Sequence, residues 1–385
     1  MQKLSFTIIW NFNLHHGSYP HQDQTPIFRQ YKHLFELHRQ YPDIKAEFCL
    51  TGYSIEILLE KAKHVIKAIQ DGISEGCFSI GSYTYAHPVL PLIPLVDGHR
   101  QILKSVEIER EVFKTQPKGL LPPEHAFDPS LPLMLKGTGI EWVYLIESQY
   151  PLISEKIRGV EWLAQISQYH SERRGSRSGL REELCPHDPI GIRGIKNSSC
   201  RAIFACTNFD NISHLRRVQE QGGDHLICYS TDADCFNDIS ELDLIFAKIK
   251  ALQKCIPLKF VSIEDYMATH PPVKTVLLNT VGYEPELFSN WTEGCAKLNL
   301  LCDEARNSIR ELELEVSKIG FSKEVKELLE QAWTALMLAE NSDVRITGWF
   351  RVHPTREYAA LEKALEAKEL AEKALQCLKR SERSG

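Results

Sequence analysis

Along roughly the first 270 residues, short apolar runs alternate with amphipathic stretches, the pattern of strands joined by helical crossovers. Strands are predicted over Leu4–Trp10, Ala46–Leu50, Cys77–Ser82, Gly119–Leu121, Trp142–Ile146, Ala202–Ala205, Leu226–Ser230 and Leu258–Ser262. Seven or eight such strands fit a parallel barrel. Between the second and third, Ile55, Leu58, Leu59, Ala62, Val65, Ile66 and Ile69 recur at three-and-four spacing, which predicts one helix over Ser54–Gly72 ending at the glycine. After Pro271 and Pro272 strands are no longer expected, and Glu, Lys, Leu and Ala dominate. Trp291, Cys295, Leu298, Cys302, Ala305, Ile309, Leu312 and Val316 trace one helical stripe; Glu324–Ala339 and Arg356–Leu378 repeat the habit, so a three-helix bundle is expected.

Composition narrows the picture. With 385 residues, 25% charged and 43% hydrophobic, the chain has the profile of an ordinary folded protein long enough for two domains. Its 45 Lys+Arg against 51 Asp+Glu leave a net charge of −6 and no basic stripe, which argues against nucleic acid as a partner. No run approaches the about 18–20 apolar residues of a membrane span, so no membrane association is expected. Met1–Trp10 reads as a first strand rather than a signal peptide. The 11 scattered cysteines show no C-x-x-C pair, so reduced thiols in the cytoplasm are expected. In that setting the Asn-x-Ser/Thr matches at Asn197, Asn211 and Asn290 carry no glycan meaning.

In a parallel barrel the chemistry sits at the C-terminal ends of the strands. Four clusters follow predicted strands: Asn11–His16, Gly81–Pro88 with its continuation to Pro94, Gly119–His125, and Ile227–Phe236. Each has a plain structural reading, as hydrogen-bonding histidine, packed tyrosine or solvated glutamate. Together, however, the last two put Glu124 and Asp232 at the same end of the strands, and a pair of carboxyl groups is the minimum machinery of glycoside hydrolysis. The segment Ser171–Arg181, rich in arginine, serine and glycine, reads either as a solvated insertion or as a flap over the barrel rim.

The order of these motifs resembles glycoside hydrolase family 57. Asn13–Gly17 is similar to the family's first motif, with His15 kept; the run YAHPVLPLIP, ending at Pro94, is close to its second; GLLPPEHAFDPS resembles its third; Thr231–Asp234 resembles its fourth; and Ala339–Asp343, followed by Gly348 and Trp349, resembles its last. The resemblance implies an α/β fold in which a distorted parallel (β/α)7 barrel, residues 1–272, is followed by a helical bundle, residues 284–380, that contributes to the substrate cleft. It implies Glu124 as nucleophile and Asp232 as general acid/base of a retaining double displacement on α-linked glycans. His15, Tyr83, Tyr85, His87, Asp234, Asp343 and Trp349 are then substrate contacts, with no cofactor and no metal. The expected partner is an oligo- or polysaccharide. Proximity of two negative charges is expected to keep Asp232 protonated.

Two other readings compete. A metal-dependent carbohydrate deacetylase would gather His15, His16, Asp232 and Asp234 about an ion, although no H-x3-H pair follows a strand; the His-x-Asp pair of zinc α-mannosidases is also absent. A barrel that binds glycan without turnover is the other, because several motifs are altered.

Overall fold

The computed structural model describes residues 3–14, 24–146, 149, 188–206, 209, 211–220, 222–234, 236, 238–273, 275–278, 280, 295–320, 322–345 and 354–384. The strands in chain order are β1 (Leu4–Phe12), β2 (Ala46–Leu50), β3 (Phe78–Ser82), β4 (Gly119–Leu120), β5 (Trp142–Ile146), β6 (Ile190–Arg193), β7 (Ser199–Cys206), β8 (Leu226–Asp232), β9 (Leu258–Phe260) and β10 (Thr275–Leu277). Strands β1, β2, β3, β4, β5, β7 and β8 pair in that order, all parallel, and β8 returns to β1. The ring is a closed seven-stranded barrel, as expected. Strand β9 lies beside the first residues of β1, while β6 pairs antiparallel with β7 and carries β10 on its outer edge.

Strand β1 shows why the chain reads this way. Phe6, Ile8, Trp10 and Phe12 pack outward against the surrounding helices, whereas Ile9 joins Cys49, Tyr83, Leu121, Trp142, Tyr144, Ala205 and Cys228 in the barrel core. Ser5, Thr7 and Asn11 alternate with the outward residues, yet all nine positions are buried, so the more polar face of this strand is turned into the barrel and not to solvent. The indole of Trp10 donates to His38 Nε2 at 3.0 Å, and burial pushes His38 down to about 3, so it serves as a neutral acceptor in the core.

Three local expectations are corrected. Strands β6 and β10 were not anticipated: each is short, β6 contains Gly191, and β10 lies past Pro272, where strands were expected to have ended. The helix expected over Ser54–Gly72 is two, Gly52–Lys61 and Lys63–Ser74, broken at Ala62 (φ −146°, ψ 52°). Ile55, Leu58, Val65, Ile66 and Ile69 all reach the same core across the break, so the apolar period alone cannot reveal it. Gly72 does not end the helix. A Cβ there would stand 1.9 Å from the Phe78 ring, so the glycine serves a close approach, and the left-handed turn falls at Gly76 (φ 69°).

Three long helices follow: Ala296–Ile319, Lys323–Ala339 and Pro354–Ser384. Leu298, Cys302, Ala305, Ile309, Leu312 and Val316 form the predicted stripe, and Ala360, Ala364, Ala367, Ala371 and Ala374 let the last helix approach closely. Trp291 lies outside the described residues. A buried ion cluster ties the bundle to the barrel. Arg306 donates to Asp97 on the helix Leu95–Phe113, to Asp303, and to Glu340 Oε1 at 2.8 Å. Gln101 extends the network: its amide nitrogen donates to Met337 O (3.0 Å) and Glu340 Oε2 (3.2 Å), while its oxygen accepts from Ala86 N (3.0 Å). Burial pushes Glu340 up to about 7, helped by Asp97 and opposed by Arg306.

Removing one partner of a buried ion cluster leaves uncompensated charge, which costs about 3–5 kcal/mol. Arg306→Met is therefore expected to lower the free energy of unfolding by that amount in urea titration. A loss below about 1 kcal/mol would show that the cluster does not hold the junction.

Candidate active site at the barrel rim

The inward-facing series of β1 turns polar where the strand leaves the barrel. Register places Asn11 opposite Asp232, the last residue of β8. Asn11 Nδ2 donates to Asp232 Oδ1 (3.2 Å) and to Ser230 Oγ (3.3 Å), and its carbonyl accepts from Ala233 N (2.8 Å). Two residues on, Asn13 N donates to Asp234 Oδ2 at 3.2 Å and Asn13 Nδ2 to Asp343 Oδ2 at 3.1 Å. The turn is held from the next loop by Ser54, whose hydroxyl accepts from Leu14 N at 2.7 Å.

The loops after β3 and β4 carry unusual backbone. Thr84 (φ 67°), His87 (φ 58°), Glu124 (φ 57°) and His125 (φ 47°) all lie in the left-handed region. Non-glycine residues there cost of the order of 1–3 kcal/mol each and persist only where the surroundings impose them. The surroundings are visible here. Thr84 Oγ1 accepts from His87 N (3.2 Å), and its carbonyl accepts from Gly52 N and from the hydroxyl of the buried Ser105. The Glu124 turn begins with Pro122 and Pro123 and is clamped by Gln149, which donates to His125 O (2.8 Å) and accepts from Ile146 N (3.1 Å).

The bundle supplies the remaining wall. After Glu340, Asn341 bridges to Pro88 and Ser342 N donates to His87 O at 2.9 Å, so this loop is stitched to the barrel by backbone. The hydroxyl of Ser342 donates to Glu124 Oε1 (3.0 Å) and lies 2.8 Å from His87 Nδ1. Asp343, held from the bundle side by Asn341 Oδ1 accepting from its N–H (2.8 Å), meets Asn13 from the barrel.

Four carboxyl groups thus converge. Glu124 is pushed up to about 8, first by burial, then by repulsion from Asp343 and, more weakly, from Asp232; the Ser342 hydrogen bond opposes the rise. Asp234 is pushed well above the carboxylate range by burial and by Asp232. The Tyr83 hydroxyl is raised by burial and by Asp232, Glu124, Asp343 and Asp234 together, which puts it beneath the whole group. Its ring meets His87 edge-on at 4.6 Å between centroids. Asp232 stands exposed at the rim, whereas Glu124 and Asp234 are the buried carboxyls whose ionisation is disfavoured.

Of the residues singled out from sequence, Glu124, Asp232, Asp234, Asp343, Tyr83 and His87 come together. Tyr85 does not. It is 1% exposed, packs in the bundle core, donates to Glu56 Oε2 at 2.9 Å and carries Lys104 Nζ 4.2 Å above its ring. The left-handed residue Thr84 (φ 67°) between them breaks the extended alternation that would keep both tyrosines on one face, and Tyr85 enters the barrel–bundle contact. His15, His16, Trp349 and the segment Ser171–Arg181 lie outside the described residues. Asn11, Asn13, Gln149 and Ser342 were not named as site residues; the asparagines lie in the strand-end cluster Asn11–His16 and Ser342 in the motif Ala339–Asp343, but nothing local marked Gln149. His87, Glu124 and Asp343 bring ligand-type atoms within 4.8 Å of one another, and hydrogen bonds to Ser342 and Asn13 already account for that proximity. A cavity of about 640 Å³ lies elsewhere, near the β6–β7 hairpin, where Arg201 is already paired with Glu141.

A closed seven-stranded barrel, an acid-lined rim and a docked helical bundle are the features to compare with known proteins. Residues 12–173 match the model of Glycosyl hydrolase family 57, and the resemblance to that family is thereby shown. No curated protein matches the chain. Among solved structures, a 4-alpha-glucanotransferase from Thermococcus litoralis superposes with a TM-score of 0.67 at 15% identity, covering 96% of this chain and 60% of that one. This chain thus spans well under two thirds of that enzyme. A GH57 branching enzyme from Thermococcus kodakaraensis gives 0.64 at 13% identity, covering 98% and 89%. The alpha-amylase AmyC from Thermotoga maritima gives 0.65 at 13%, covering 98% and 96%. At these identities the likeness is one of fold.

Because Asp343 contributes to the raised value of Glu124, Asp343→Asn is expected to move the Glu124 titration to lower pH. Carbon NMR of glutamate-labelled protein, with the signal assigned by its loss in Glu124→Gln, should give a midpoint near 8 in the parent and a lower one in the variant. A parent midpoint near the ordinary value of about 4.3 would refute the electrostatic description.

Proposed function

We propose that the protein is a retaining glycoside hydrolase or glucan transferase acting on α-linked oligo- or polysaccharides, with Glu124 as nucleophile and Asp232 as general acid/base. The observation that carries this reading is the meeting at one rim of two carboxyls from different strands, each held by a dedicated donor, Ser342 for Glu124 and Asn11 for Asp232. The named relatives, which are amylase, branching and glucanotransferase enzymes, support α-glucans as the substrate class.

The chemistry runs in two displacements. Glu124, ionised, attacks the anomeric carbon while Asp232 protonates the departing glycosidic oxygen; Asp232, now a carboxylate, then activates the incoming water or sugar hydroxyl. A retaining pair works at a separation of about 5–5.5 Å. Burial and acidic neighbours disfavour ionised Glu124 in the empty site, and positive charge developing at the anomeric carbon relieves that cost as the bond breaks. The loss of stability in the empty enzyme thereby becomes attraction for the transition state. Asp234, Asp343, His87 and Tyr83 line the space where sugar hydroxyls would be held; His15 and Trp349 retain the substrate-contact roles that the family resemblance gives them. Tyr85 is not part of this proposal.

The nine described cysteines are all free, which supports a reducing, cytoplasmic setting. Among the described residues no helix is long and apolar enough to cross a membrane.

Product analysis with a panel of α-glucans and aryl α-glycosides, with and without chelator, tests the proposal. Turnover is expected to resist chelation and to retain anomeric configuration. Asp232→Asn should lower it by about 10²–10⁴-fold, least with aryl leaving groups that need no proton, and Glu124→Gln should abolish it. Full activity in Glu124→Gln, or loss on chelation, would overturn the assignment.

A further inference from the structure

His87 and Glu124 are joined through a third residue. The hydroxyl of Ser342, held by a loop anchored to both barrel and bundle, sits 2.8 Å from His87 Nδ1 and 3.0 Å from Glu124 Oε1. We propose that Ser342 is a positioning residue whose single hydroxyl proton couples the ionisation of Glu124 to the tautomer of His87.

The argument is one of donors and acceptors. A serine hydroxyl has one proton and accepts through its lone pairs, and an ionised carboxylate only accepts. With Glu124 ionised, the hydroxyl proton points to Oε1, and Oγ accepts from His87, which must carry its proton on Nδ1. With Glu124 protonated on Oε1, the direction reverses: Glu124 donates to Oγ, Ser342 donates to Nδ1, and the imidazole carries its proton on Nε2. The two states differ by one proton. It enters at Nε2 while the Nδ1 proton passes to Oγ and the Oγ proton passes to Oε1; no heavy-atom bond forms or breaks. Backbone geometry favours such an array, because Ser342 N donates to His87 O and so fixes the Cα that carries the hydroxyl beside the imidazole.

Other groups around Glu124 bias the balance without replacing the link. Asp343 from the bundle loop and Asp232 from β8 disfavour its ionisation. Tyr83, beneath, is itself held neutral. His125, on the same turn, is pushed down to about 4 by burial and stays uncharged near neutrality. Asp234 faces Tyr83 and Asp232. The consequence for catalysis rests on the reading of Glu124 as nucleophile; the coupling itself does not.

Nitrogen NMR of histidine-labelled full-length protein between pH 5 and 9.5 tests it, with His87 assigned by substitution. The parent should exchange the Nδ1–H for the Nε2–H tautomer of His87 as pH falls through the Glu124 midpoint. In Ser342→Ala the tautomer should no longer follow Glu124, and the Glu124 midpoint should rise, opposite to the shift expected for Asp343→Asn. Ser342→Thr should restore both. Glu124→Gln, which removes the titrating group, should leave His87 in one tautomer throughout. A constant tautomer in the parent, a switch that persists in Glu124→Gln, or an unchanged Glu124 midpoint in Ser342→Ala would each overturn the proposal. These signals need no turnover: coupled titration in a protein inactive on every glycoside would keep the link and discard the nucleophile assignment, whereas an active enzyme without coupling would do the reverse.

Discussion

The guanidinium of Arg306 neutralises two almost fully buried carboxylates, Asp97 on a barrel helix and Glu340 at the end of a bundle helix. The bundle's share of the rim depends on that contact, because the residues directly after Glu340 are those that reach the barrel mouth. Asn341 pairs with Pro88, Ser342 holds Glu124, and Asp343 meets Asn13. Buried charge is costly, and a network this deep is kept in place by geometry rather than by net attraction. Here it converts the position of one helix end into the position of a candidate nucleophile.

The rim is also where the fold accepts strain. Four left-handed residues stand on two adjacent loops, and four carboxyls share the space above Tyr83. Neither feature helps the empty protein. The crowding of carboxyls becomes favourable if positive charge develops between Glu124 and Asp232, as it does when a glycosidic bond breaks. The bundle thus acts as more than a brace: through Asp343 it completes a ring of carboxyl groups that the barrel supplies only in part.

Much of this was legible in the chain. The apolar runs at β1, β2, β3, β5 and β8, expected within a residue or two of where they lie, and the helical periods after Pro272 give barrel and bundle directly, because burial writes itself into residue spacing. Glu124 and Asp232 were readable as carboxyls placed just beyond predicted strands, and Asp343 through the family resemblance of Ala339–Asp343. What was not legible depends on contacts between distant segments. Tyr85 lies two residues from Tyr83 yet serves the opposite side, and only the docked bundle decides that. The break at Ala62 preserves the apolar period, Gly72 answers to the ring of Phe78, and β6 and β10 are too short to carry a pattern. Ser342 is an unremarkable serine until its loop is laid against His87 and Glu124.

The central claim is that Glu124 and Asp232 act on one sugar from opposite sides. Mechanism-based labelling tests it most directly: a fluorinated α-glycosyl fluoride forms a slow-turnover ester with a retaining nucleophile, and peptide mass spectrometry locates it. The account predicts a single glycosyl adduct on the peptide containing Glu124, absent in Glu124→Gln. An adduct on another carboxyl, with Glu124 unmodified, would contradict it.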